Sequence, residues 1–251
     1  MEGSSKRKDN EWFVKQIKFF DKNFSKIKKY KLRPWQESYI KRVKEYLIQK
    51  PYTNKKLLDV GAGHGYIAIE MAKLGLDVVA CDLSPKAIEH LERNKKIFKL
   101  KNLKIVHCNA QSLPFANESF DHVVAIAILE HIPEEEKAIK EWKRVLKKGG
   151  KMYVVTPLLF RYLWPMLWPV NYVHDRRLGH LRRYDLATLK RKFKLKPVAQ
   201  FYTGNLLKIV GLALTTILPS RKLDQIIETL DNLTSHLSYG ANNITVIFQK
   251  S

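Results

Sequence analysis

The sequence predicts an α/β fold: a doubly wound parallel sheet with helices on both faces. Three observations carry that prediction. From Lys55 onward, short apolar runs alternate with helix-like segments at the rhythm of β-α units. A glycine-rich turn, Gly61-Ala62-Gly63-His64-Gly65, joins the first of those runs to the helix behind it. The composition, 45% hydrophobic and 28% charged over 251 residues, is that of an ordinary globular chain and excludes collagen-like, disordered and disulfide-scaffold classes.

The elements follow in order. Residues 6–50 carry fifteen Lys/Arg against five Asp/Glu. Their apolar residues (Trp12, Phe13, Ile17, Phe19, Phe20, Phe24, Ile27) recur at three- and four-residue spacing, which predicts a basic amphipathic helix. A break at Leu32-Arg33-Pro34 precedes a second helix over 35–49. Residues 57–60 are a first strand, 77–81 a second, 103–108 a third and 122–128 a fourth. Ser84-Pro85 opens the helix after the second strand, with a hydroxyl at the cap and proline in the first helical position. Acidic residues after Pro133 start another helix; Lys143, Arg144, Lys147 and Lys148 finish it, and Gly149-Gly150 stop it. Residues 152–156 are a fifth strand. The chain thus divides into a basic helical extension (1–50), a ligand-binding core (51–157) and a remainder with insertions (158–251).

Past Thr156 the rhythm breaks. Residues 158–173 are crowded with apolar and aromatic side chains, and a basic loop and helix follow over 176–196. Residues 197–202 read as a sixth strand and 244–249 as a seventh, with an apolar helix (206–218) and an amphipathic one (223–237) between them. Neither apolar stretch is expected to span a bilayer.

The charge is unusual: 46 Lys/Arg against 24 Asp/Glu give +22. Such a field attracts polyanions, nucleic acid or an anionic membrane face, and a Lys-rich proteome produces the same excess with no partner at all. Only Cys81 and Cys108 are present, so a reducing compartment is the default, and the charged start lacks an apolar core of signal-peptide length. A cytoplasmic protein, peripheral to a membrane at most, is expected.

The glycine turn lies where an open parallel sheet binds ligands, and Asp82 ends the next strand, where a carboxylate can accept both hydroxyls of a ribose. A dinucleotide site wants G-x-G-x-x-G/A; here the third glycine's place is Tyr66. Asp59 ahead of the turn would repel a pyrophosphate and suits an ammonium group. The implied ligand is an adenosine with a cationic amino-acid tail.

With these residues in view, the sequence resembles the class I S-adenosylmethionine-dependent methyltransferases, in particular the broad small-molecule group that includes the quinone-biosynthesis methyltransferases. Four segments carry the resemblance: LLDVGAGHG at 57–65, Asp82 in ACDLSPKAIE, NAQSLPFANESFD at 109–121 and VLKKGGKMYVVTP at 145–157. The resemblance implies a Rossmann-like seven-stranded sheet and S-adenosylmethionine as cofactor. It implies that Asp59, Gly61 and Gly63, with Ala62 beside them, hold the methionine end, and that Asp82, followed by Leu83, holds the ribose. Asn109 and Ala110 would meet the adenine edge and Ile126 would lie beside the sulfonium. The usual residue at 109 is aspartate; Asn109 accepts without charge assistance.

Methyl transfer is an in-line displacement, and a base is needed only where the acceptor loses a proton. The candidates are His180, His131, His174 and Tyr184; no metal is assigned. Arg182 and Arg183 are candidates for an anionic group on the acceptor. Phe160, Tyr162, Trp164, Trp168 and Tyr172, in the stretch that borders the acceptor pocket in this family, favour an apolar or aromatic small molecule such as a quinone precursor or polyprenyl-linked acceptor at a membrane surface. RNA is the alternative acceptor, although no separate nucleic-acid module is apparent. A non-catalytic cofactor-binding scaffold is a third reading, and an intact glycine turn argues against it.

Overall fold

The computed structural model describes residues 2–25, 29–48, 51–52, 54–159, 168–205, 208, 211 and 219–251, with only the backbone of 2–10, 168–171 and 174. Strands β1 (Lys56–Val60), β2 (Asp77–Asp82), β3 (Leu103–His107), β4 (Phe120–Ile126), β5 (Leu146–Pro157), β6 (Lys196–Thr203) and β7 (Asn243–Gln249) form one sheet in the order β3-β2-β1-β4-β5-β7-β6. The first five are parallel, and β7 enters antiparallel between β5 and β6.

Successive strand side chains point to opposite faces, and this sheet is buried on both. Leu58, Val79, Val123 and Val154 pack on one side against Ala138 and Trp142 of α5 (Glu135–Val145) and Leu189 and Phe193 of α7 (Leu186–Phe193). Leu57, Val78, Val124 and Tyr153 pack on the other with Ile67 and Met71 of α3 (Tyr66–Lys73), Leu91 of α4 (Pro85–Ile97) and Ile40 of α2 (Pro34–Arg42). Near-continuous apolar runs such as LLDV therefore suit strands covered from both sides. Ser84 caps α4 by accepting from the Ala87 N–H at 3.1 Å, and Asp185 caps α7 by accepting from Thr188 at 2.8 Å.

Two expected boundaries move. The α5 helix stops at Val145 because buried Leu146 turns extended to pair with Phe120 on β4. Lys147, Lys148, Gly149 and Gly150 are thus strand residues and not the end of a helix. β4 ends at Ile126, two residues early, because Ala127 takes a left-handed backbone (φ 51°). The amphipathic helix expected over 223–237 is α8 (Arg221–Leu233), and α6 is Trp168–Leu178. The apolar helix expected over 206–218 and the aromatic residues Phe160, Tyr162 and Trp164 lie outside the described residues.

The first helix, α1 (Glu2–Phe24), does not stand apart from the core: it crosses the carboxyl ends of the strands and packs beside α4. Cys81 and Cys108, at the ends of β2 and β3, are joined, with their Cα atoms 5.7 Å apart. No described helix is long and apolar enough to cross a membrane.

Candidate active site

The glycine turn is folded down onto β2. The N–H groups of Gly61 and Ala62 donate to the Cys81 carbonyl at 2.8 and 3.0 Å. Gly61 has φ +66°, and a Cβ there would run into the Ile128 side chain, so only glycine fits. The turn then reaches Asp82, whose two carboxylate oxygens accept from the N–H groups of Gly63 and Ser84, both at 2.8 Å. Burial raises the pKa of Asp82, and these hydrogen bonds oppose that rise. Asp59 lies behind the turn, its carboxylate accepting from Ala68 N–H at 3.1 Å. Burial, with a smaller contribution from the charge of Asp82, pushes its pKa up to about 7.

Gly61, Gly63, Asp82, Leu83, Asn109 and Ala110 line one cavity of about 130 Å³. Asp59 and Ala62, assigned with them from the sequence, do not reach its wall. Neither does Ile126, because the chain turns one residue later; Ala127 and Ile128 supply the wall there. Ala127's left-handed backbone is strain of the kind that collects at functional sites. Asn109 folds its amide oxygen back onto the Gln111 N–H at 2.9 Å, so that acceptor is shared with the local turn. The carbonyl of Ala110 is fixed by the indole N–H of buried Trp142 at 3.1 Å.

The remaining wall is α1. Phe13, Gln16, Ile17, Phe20 and Phe24 face the cavity. Asp21 of the same helix accepts from the Ser84 hydroxyl and, at 3.3 Å, from the Lys86 N–H, and the Trp12 indole donates to the His131 carbonyl at 3.1 Å. The sequence reading found this apolar face by its helical spacing but not its target, because the residues it covers are contributed by three distant strand ends.

His131 lines the cavity beside Phe20, with ring centroids 5.2 Å apart. Burial, then the neighbouring His180, holds its pKa down at about 4, so it is neutral near pH 7. His180 stands behind it (centroids 5.0 Å) and shares a 2.8 Å hydrogen bond with Asp175, away from the cavity wall. Tyr184, a base candidate from the sequence, is buried, its hydroxyl donates to Glu135, and it does not line the cavity. The side chain of His174 lies outside the described residues, as does that of Trp168, and Tyr172 is exposed. Arg182 donates to the carbonyls of Ile132 and Pro133 at 2.7 and 3.0 Å, and Arg183 to Asp175 at 2.7 and 2.9 Å, so both brace loops. Sequence reasoning passed over Glu130, a buried carboxyl whose pKa burial raises to about 8.

This seven-stranded sheet with its glycine cradle is similar to the Rossmann-like fold of solved methyltransferase structures. Residues 58–154 match the family model of the methyltransferase domain. Among curated relatives, the ubiquinone/menaquinone biosynthesis C-methyltransferase UbiE of Rickettsia prowazekii is 32% identical over 114 residues, covering 43% of this chain and 46% of the relative. The ubiquinone biosynthesis O-methyltransferase of Pelagibacter ubique is 34% identical over 148 residues, covering 58% and 59%. The chain thus spans about half the length of the curated relatives it matches. Among solved structures, the MccD protein superposes with a TM-score of 0.66 at 20% identity over 88% of this chain and 100% of that one, a likeness of fold.

Proposed function

We propose that the protein transfers the methyl group of S-adenosylmethionine to a small lipophilic acceptor, of the quinone-precursor or polyprenyl-linked kind, at a membrane surface. The observation that carries the reading is that the Gly61–Gly63–Asp82 cradle opens onto a cavity walled by Phe13, Ile17, Phe20, Phe24 and Ile128. A polar nucleoside cradle facing an apolar wall suits a cofactor on one side and an apolar acceptor on the other. In this arrangement Asp82 holds the ribose and Asn109 and Ala110 border the adenine, while Ala127 and Ile128 shape the space where the methyl moves. Alignment of acceptor, methyl and sulfur supplies much of the rate, and the wall of α1 excludes water. Two relatives named for ubiquinone biosynthesis support the acceptor class. The membrane surface is supported by an exposed apolar stripe, Ile226, Leu230, Leu233 and Leu237, together with the +22 charge.

The test uses S-adenosylmethionine labelled in its methyl group, incubated with the protein and either a total lipid extract or total RNA. Label is expected in the organic phase. Label in RNA would replace the acceptor with nucleic acid and make the basic helices its dock. Label in neither would remove the lipophilic acceptor.

A further inference from the structure

Both cysteines of the chain lie in the wall of the cofactor cavity, and methyl transfer as derived above uses neither. Cys81 precedes Asp82 at the end of β2, and Cys108 precedes Asn109 just past β3. They are joined with their Cα atoms 5.7 Å apart, a separation ordinary for a disulfide. The pair therefore bridges the carboxylate assigned to the ribose and the residues assigned to the adenine edge.

The backbone on either side is held without the sulfurs. The Cys81 carbonyl accepts from the N–H groups of Gly61 and Ala62 at 2.8 and 3.0 Å, and the Cys108 N–H donates to the Asp82 carbonyl at 3.0 Å. Opening the disulfide thus leaves the strand ends and the glycine turn in place and moves side chains alone. Where those side chains can go is restricted. Cys81 is 1% and Cys108 7% exposed, and both pack in the core cluster with Val60, Val79 and Ala110. The side left to them is the cavity, whose wall they share with Asp82 and Asn109. Thiol–disulfide exchange needs direct attack on a sulfur, so a small thiol reaches the bond through the cavity. Two unbonded sulfurs also need more room than two bonded ones, room that a close-packed core withholds. The reduced pair therefore encroaches on the space that the cofactor fills.

We propose that Cys81 and Cys108 are a redox modification site inside the cofactor cavity, opened by low-molecular-weight thiols when the cavity is empty and holding cofactor more weakly once opened. The inference rests on the cofactor reading above. A thiolate of the small thiol attacks Sγ of Cys108, the more exposed of the two residues. The bond between the two Sγ atoms breaks, and its electron pair leaves on Sγ of Cys81, which takes a proton from solvent. A second thiolate attacks the outer sulfur of the mixed disulfide and releases Cys108 as a thiolate, which is protonated in turn. One protein disulfide is reduced, and two small thiols are oxidised to their own disulfide.

The experiment uses the full chain, glutathione as the thiol and S-adenosylhomocysteine as the occupant, with alkylated cysteines counted by mass spectrometry. The chain equilibrated with glutathione disulfide should show no alkylated cysteine, and the chain in excess glutathione should show both. Opening should be about 10-fold or more slower with S-adenosylhomocysteine bound. Calorimetric titration should find that the oxidised form binds S-adenosylhomocysteine about 10-fold more tightly, an ordinary coupling between two sites. The same factor should return as a midpoint in glutathione buffers about 30 mV more negative when S-adenosylhomocysteine is present. Cys81→Ala combined with Cys108→Ala, which has no sulfur to exchange, should show one affinity after either treatment. Free thiols after oxidation, or a bond still closed in excess glutathione, would overturn the proposal. So would opening rates indifferent to S-adenosylhomocysteine, or equal affinities of the two forms. Absence of S-adenosylhomocysteine binding in both forms would overturn the cofactor reading itself and the coupling with it, whereas the thiol count is read without any cofactor.

Discussion

At the scale of single residues, Asp59 and Asp82 do different work although each lies at the carboxyl end of a strand of the same sheet. Asp82 is positioned by two backbone N–H donors and lines the cavity, so Asp82→Ala should lose both ribose contacts. At about 1.5–3 kcal/mol for each charge-assisted hydrogen bond, cofactor affinity should fall at least 100-fold with the far-UV spectrum unchanged. Calorimetric titration measures this, and undiminished affinity would move the ribose elsewhere. Asp59 acts from behind the turn, and its raised pKa sets a pH signature. A cofactor ammonium favours the carboxylate, so binding expels a proton from the acid form that the empty site holds below about pH 7. Affinity should therefore rise from pH 5.5 to 7 and then level, and Asp59→Asn should flatten the rise; titrations in buffers of different ionisation enthalpy count the proton. The placement of both aspartates beside the turn was legible in the sequence because strand, turn and carboxylate fall at fixed spacing, but that Asp82 lines the cavity and Asp59 does not was not. Ala127 and Glu130 were not, since an alanine with a left-handed backbone and a glutamate buried without a full set of partners announce themselves only in three dimensions.

Among elements, α1 changes most between sequence and structure. Its periodicity announced a basic amphipathic helix in an extension ahead of the core, and its aromatic side lines the cavity. The cavity of about 130 Å³ is smaller than the roughly 300–1,000 Å³ typical of small-molecule sites. Asp21, holding Ser84 and the Lys86 N–H, ties α1 to the rim of this cavity and is the clasp on that wall. Asp21→Ala should speed cofactor release about tenfold while leaving the melting temperature of the sheet within a degree or two; stopped-flow displacement reads the first and calorimetry the second. An unchanged release rate would mean that the clasp carries no load. Strand and helix identities from Lys55 to Thr156 were readable because each is a local apolar run between caps. The start of β5 was not: the pairing of Leu146 with Phe120 is a contact across the sheet, and it overrides the basic, glycine-terminated pattern of a helix end.

At the scale of the whole molecule, the apolar stripe of α8, continued to Leu237, and the charge of +22 are properties of the surface and not of the fold. If they dock the protein on lipid, binding to anionic vesicles should weaken with salt while retaining a salt-resistant part from buried apolar area. Changing Ile226 and Leu233, both exposed, to glutamate should abolish the resistant part in a vesicle sedimentation assay and leave cofactor affinity untouched. Equal sedimentation of the double variant would rule the stripe out. The sheet order has another consequence, for the time course of synthesis. Residues 56–157 suffice to assemble the five parallel strands as they leave the ribosome, but β6 has no partner in the sheet until residues 243–249 slide between it and β5. For the interval in which about 90 residues are translated, at roughly 5–20 residues per second, the nascent protein carries an open, apolar strand edge. That interval of several seconds is when a holdase would find this chain, and when crowding on a polysome would most readily cross-pair two copies of it.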